Sequence, residues 1–242
     1  MAQMKYFYEL TISSSPHVHA PTSTRTIMGD VLIALLPALA GSVYFFGLRA
    51  LIVTLLSVAG CIFFEWAWCC LMKKPSRIYD LSAMVTGVLI AFVCPPTIPY
   101  WCILIGDFFA IIVVKQLFGG IGRNIVNPAL AARAFMFSWP ALMTGFVTPD
   151  GVTSATPLAN MHQGLMPTDS LWDMFSGNIG GCIGETSVLF LIAGFGYLLM
   201  RRVITPRIPL AFLGTVAALA LLFPQGNDPD RKSTRLNSSH CL

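Results

Sequence analysis

Apolar residues come along this chain in long blocks, parted by short polar intervals that carry most of the charge. About seven of these blocks approach the roughly 20 residues a helix needs to cross a bilayer core. They cover 27–47, 50–72, 80–98, 100–118, 128–146, 185–200 and 208–224. The pattern predicts an all-α, polytopic helical membrane protein. Blocks three and four are divided only by PPTIPY (95–100), whose prolines stop a helix and favour a tight turn. Block five has an explicit start in Asn127-Pro128-Ala129. Asn caps a helix well, and a proline at the first helical position lacks only an amide hydrogen that would be unpaired anyway.

Composition agrees with that pattern. The 242 residues are 55% hydrophobic and 11% charged, whereas a soluble domain carries about 25% charge. An ordinary soluble domain is thereby excluded. Met1 to Arg25 is polar and lacks the apolar centre of a cleavable signal peptide, so Ile27 onward reads as the first span. The net charge of +4 says less than its distribution. With alternating spans, Lys5, Arg25, Lys73, Lys74, Arg77, Lys115, Arg123, Arg201, Arg202 and Arg207 fall on one side, and Arg49 on the other. Lys and Arg concentrate in cytoplasmic loops. The reading is a cytoplasmic segment 1–26 and a membrane domain 27–229, with loop 147–184 outside the cytoplasm. From Asp230 the chain changes to DRKSTRLNSSHCL, which resembles a translated sequencing adapter. Residues 230–242 are therefore expected to be an artefactual tail, against the alternative of a natural disordered one.

The polar stretch DGVTSATPLA (150–159) stands out within the outer loop. Its hydroxyls could cap a turn, line a solute path, act as a nucleophile, or accept a covalent group. Ser154 and Thr156 have only His162 nearby and no oxyanion-hole pattern, which disfavours a hydrolase. Pro157 biases Thr156 toward an extended backbone, Ala155 leaves room beside it, and Asp150-Gly151 makes a bend.

DGVTSATP resembles the flavinylation motif Asp-Gly-x-Ser/Thr-Ser/Gly-Ala-Thr, which Asp150, Gly151, Thr153, Ser154, Ala155 and Thr156 fill. GGIGRNIVNPALAARAF (119–135), DLSAMVTGVLIAFVCPP (80–96) and GGCIGETS (180–187) resemble the NqrB/RnfD family. That family unites the RnfD membrane subunit of Rnf electron-transport complexes with the NqrB subunit of the sodium-pumping NADH:quinone reductase. SSPHVHAPTSTRTIM (14–28) favours the RnfD branch. The resemblance implies FMN joined through its phosphate to Thr156. A flavin transferase outside the cytoplasm would install it from FAD, with a magnesium ion and release of AMP. It also implies a non-autonomous electron-transfer subunit of an ion-translocating ferredoxin:NAD oxidoreductase. The other subunits, the transferase and membrane lipid would be its partners, and nucleic acid would not. A non-covalent riboflavin among the helices is a second cofactor that the family allows; no side chain in the sequence identifies its pocket. The rival from another class is a solute transporter or channel whose TSATP is a structural loop.

Ionisable residues within a bilayer are functional candidates by default. Glu65 and Asp107 lie inside spans and are the candidates for an ion path, while Asp30, Asp80 and Glu185 sit near span ends, where local pairing is the reading for Asp30 and Asp80. Arg133 lies within block five and either faces a polar interior or snorkels. Gly119-Gly120 and Gly122-Arg123 precede a helix start and read either as a phosphate cradle or as a tight turn. Five of the seven cysteines lie in or at the ends of apolar blocks and read as small buried hydrophobes. His17 and His19 lack carboxylate or thiol partners and read as polar packing; no metal site is expected.

Overall fold

The structure, a computed structural model, describes residues 23–73, 78–148 and 170–222. Helix α1 runs over Thr24–Phe46 and α2 over Leu48–Leu71, with only Gly47 between them. These two are long and apolar enough to cross a membrane. A 3-10 turn at Ile78–Asp80 leads into α3, Ser82–Phe92. Helix α4, Tyr100–Phe108, continues directly as a π-helical segment, Phe109–Gln116. Then come α5 (Pro128–Met136), the single turn α6 (Pro140–Met143), α7 (Leu171–Ser176), α8 (Val188–Met200) and α9 (Arg207–Leu222). Among the described residues the fold is helices and turns.

Two of the seven expected spans are thus confirmed by length and composition, and two corrections follow. The third block forms a helix of 11 residues, because it ends ahead of Pro95-Pro96. The fifth block is not one helix: α5 stops at Met136 and α6 restarts at Pro140. Proline lacks the amide a helix interior requires and forces Trp139 out of the helical region, to φ −115° and ψ 70°. The start of α5 is as the sequence predicts, with Asn127 Oδ1 accepting the Ala129 amide at 3.0 Å.

Hydrogen bonds fix which ends of the helices coincide. Arg49 Nη2 donates to Thr97 O at 3.0 Å, and Thr97 Oγ1 donates to Gly145 O at 2.6 Å. Ile183 N donates to Cys94 O at 3.0 Å. The start of α2, the α3–α4 turn, the stretch after α6 and the stretch before α8 therefore meet at one end. At the opposite end Arg201, after α8, bonds Asp30 of α1 at 3.1 Å. Arg25, Lys73, Arg123, Arg202 and Arg207 also lie towards that end, by the alternation of the helices.

The core lies where α2, α3, α4 and α5 meet, around Val53, Cys61, Ile90, Ile103, Ile111 and Met136. Gly87 lets α3 approach α2 at backbone contact: a Cβ there would lie 2.7 Å from Val58 Cα and 2.9 Å from Ser57 O. Small residues at helix crossings serve this purpose in membranes, where close packing drives association. Ala129 and Ala132 of α5 are buried inside this core. Helices α1 and α2 expose Leu36, Tyr44, Leu55, Phe63 and Trp66, and none of α9 is buried.

Candidate functional site

The bundle interior contains a polar seam between α2 and α4. Ser57, Cys61 and Glu65 follow one another at four-residue steps on α2 and are all buried. Asp107 and Lys115 face them from α4 and its π segment. In a regular α-helix two residues eight apart diverge by about 80° around the axis. The wider turn of a π-helix reduces that drift, and such segments are frequent at functional sites. Lys115 consequently points inward.

Lys115 Nζ lies 2.9 Å from Glu65 Oε1, with both side chains only 2% exposed. It also donates to Ser82 Oγ at 2.7 Å. Gln116 Nε2 donates to the same Glu65 oxygen at 2.8 Å, while Glu65 Oε2 has no hydrogen-bond partner among the described residues. Ser82 is placed by Leu81, whose left-handed backbone (φ 59°) turns the chain into α3. Lys115 is therefore a correction: it belongs to the buried seam, not to the basic loop where its charge placed it. Burial of an ammonium is tolerable here because a carboxylate stands opposite.

Asp107 has a different environment. It is fully buried, and no cation among the described residues contacts it. Its Oδ1 lies 2.7 Å from Ser57 Oγ and 3.5 Å from Cys61 Sγ, and its Oδ2 is without a partner among the described residues. The Ser57 hydroxyl also lies 2.9 Å from Gly87 O. On the far side a Cβ at Gly60 would stand 2.7 Å from Oδ2. The two ion-path candidates thus share one seam but not one chemistry.

Asp30 and Glu185 pair near helix ends. Asp30 accepts from Tyr197 Oη at 3.2 Å and from Arg201 Nε at 3.1 Å, joining α1 to α8. That hydrogen bond, followed by the Asp30 charge, raises the Arg201 pKa above its ordinary value. Asp80 sits half-buried in the 3-10 turn. Arg133 resolves towards a polar neighbour: Nη1 is 3.3 Å from Glu185 Oε1, and Nη2 is 3.8 Å from Cys182 Sγ. Gly119, Gly120 and Gly122 all have positive φ, and the amides of Gly119, Gly120 and Arg123 donate to Gln116, Lys115 and Gly120 carbonyls. These three amides are spent on the turn. Cys61, Cys69, Cys94, Cys102 and Cys182 are buried, and Cys70 is exposed.

Asp150, Gly151, Thr153, Ser154, Ala155 and Thr156 lie outside the described residues, as do His17, His19 and residues 230–242. The residues that flank the motif segment do have a place. Gly145 bonds Thr97, and Gly177 packs against Phe45 and Ser187. Both flanks stand at the end opposite Lys73 and Arg201. Sequence reasoning missed Ser57, Cys61, Ser82, Lys115 and Gln116 as members of the seam. The four-residue spacing of Ser57, Cys61 and Glu65 was the available signal.

A family model described as the NQR2, RnfD, RnfE family matches residues 11–238. The D subunit of the Na(+)-translocating ferredoxin:NAD(+) oxidoreductase complex of Acetobacterium woodii is 49% identical over 229 residues, covering 91% of this chain and 71% of the relative. The D subunit of the proton-translocating ferredoxin:NAD(+) oxidoreductase complex of Clostridium ljungdahlii is 39% identical over 228 residues, covering 88% and 69%. The D subunit of the ion-translocating oxidoreductase complex of Rhodobacter capsulatus is 34% identical over 245 residues, covering 86% and 68%. A match of this extent makes the chain a member of the NQR2, RnfD, RnfE family.

Proposed function

We propose that this chain is a membrane-embedded electron-transfer subunit of an Rnf-type ion-translocating ferredoxin:NAD oxidoreductase, carrying FMN through a phosphoester on Thr156. The observation that carries this reading is 49% identity to an RnfD-type relative over nearly the whole chain, together with a complete Asp150–Thr156 motif. Two features support the side of the membrane. The described residues flanking the motif stand at one end of the bundle, and most of the described Lys and Arg stand at the other. By the positive-inside tendency the motif is then extracytoplasmic, in an inner membrane crossed by about seven segments.

Bound there, a flavin supplies a relay that accepts one or two electrons. Thr156 would hold the FMN through its side-chain oxygen, as a phosphoester. The exposed apolar faces of α1, α2 and α9 meet lipid or sister subunits. The buried carboxylates Glu65 and Asp107 supply the candidate ion path across the bundle.

Replacing Thr156 by Ala in the chain matured beside its transferase should abolish flavin fluorescence on a denaturing gel. Expression and melting temperature should be unchanged. Fluorescence that survives the substitution removes the assignment, and a transporter with a structural TSATP loop would carry no FMN on that peptide at all.

A further inference from the structure

Asp107 and Glu65 are both buried acids, but only one has a fixed counter-charge. Glu65 is compensated by Lys115 at 2.9 Å, a permanent pairing within the fold. The polar contacts of Asp107 among the described residues are neutral: Ser57 and Cys61 from α2, with Gly60 against its second oxygen, while the Gly87 carbonyl of α3 meets Ser57. The titratable and charged groups of the neighbouring elements are Cys61 and Glu65 on α2, Cys94 after α3, Lys115 further along its own helix, and Arg133 on α5. Lys115 is engaged with Glu65 and Ser82, and Arg133 with Glu185 and Cys182.

The hydrogen count around Ser57 indicates what balances Asp107. The Ser57 hydroxyl has one hydrogen, yet two acceptors lie within reach, Gly87 O at 2.9 Å and Asp107 Oδ1 at 2.7 Å. One more hydrogen, on Asp107 Oδ1, satisfies the whole chain of bonds. Asp107 then donates to Ser57 Oγ, and Ser57 donates to Gly87 O. Both spacings are those of direct O–H···O bonds. The unpartnered Oδ2, against Gly60, is tolerable as the carbonyl oxygen of a neutral acid and costly as part of a buried anion.

We propose that Asp107 is a proton-binding site within the bundle, occupied as a carboxylic acid that hands its hydrogen to Ser57, and that Glu65 is the fixed half of a structural ion pair. This refines the ion path of the proposed function, and rests on it for the claim that the proton is exchanged during turnover. Binding and release each move one proton, with no change in oxidation state. The Ser57 hydroxyl is the first relay, because it can rotate between the carboxyl and the Gly87 carbonyl.

The test uses the complete complex in proteoliposomes, with infrared spectroscopy at neutral pH and selectively labelled aspartate. The wild type should show a carboxylic acid C=O stretch that shifts in D2O and on aspartate labelling. Asp107→Asn, which mimics the neutral acid in shape, should lose that band and keep the wild-type melting temperature. Asp107→Glu should move the band rather than remove it, and serves if the Asn variant does not assemble. Absence of an aspartic acid band in the wild type, or its survival in Asp107→Asn, overturns the proposal. So does a sodium-dependent rise in melting temperature that Asp107→Asn abolishes, since that marks an alkali cation instead. Ion transport is read separately. Asp107→Asn should lose transport; a lost band with normal transport upholds the proton site and removes it from the ion path.

Discussion

Two ion pairs of this molecule sit under opposite conditions. Lys115 and Glu65 meet in the seam, each 2% exposed, while Arg133 and Glu185 meet at the surface, 26% and 52% exposed. The separations are similar, 2.9 and 3.3 Å. What differs is the cost of leaving either partner alone. A surface ion pair exchanges its partner for water and contributes about 0–1 kcal/mol. A buried one has no such exchange, and removing one partner strands the other. Distance therefore says little about which pair the fold depends on, and burial says most.

Three substitutions sharpen that contrast. The largest effect is expected from Glu65→Ala, which leaves the Lys115 ammonium buried with only Ser82 and should cost about 3–5 kcal/mol, read as unfolding in detergent. The double change Glu65→Leu with Lys115→Met should recover most of that loss. If it recovers nothing, the pair does more than compensate charge.

Next is Gly87→Ala, whose methyl would meet the Val58 Cα at 2.7 Å. The neighbour is backbone, so α3 must move away from α2, at about 1–3 kcal/mol by the usual cost of overpacking. Since Ser57 also bonds Gly87 O, the Asp107 site should be disturbed with it. An unchanged melting temperature would show that the two helices are less tightly joined than this contact implies.

The smallest effect is expected from Arg133→Ala. With Glu185 half in solvent, stability should fall by at most about 1 kcal/mol, less at high salt. A loss as large as that of Glu65→Ala would reverse the comparison.

The sequence was informative wherever the physics is local. The start of α5 follows from Asn127 and Pro128, and the glycine turn at 119–122 from residues that favour positive φ. The break at Trp139-Pro140 was just as local, but a smoothed hydropathy window conceals one proline among apolar neighbours. Lys115 was misplaced for another reason. A charge at the end of an apolar block reads as a loop residue unless its partner is known, and its partner lies on a different helix. The flavin motif was legible only through resemblance, since three neighbouring hydroxyls by themselves fit several chemistries.

Sequence alone determined that this chain partitions into a bilayer as helices, because transfer free energy accumulates residue by residue and needs no knowledge of neighbours. It also determined the family, through motifs read in order along the chain. Only the tertiary structure decided which buried charge is locked and which stands alone. That depends on the π-helical phase that turns Lys115 toward Glu65, and on the close approach at Gly87 that places Ser57 beside Asp107. Electrostatic compensation is a property of separations in space, and those are set by packing between helices distant in sequence.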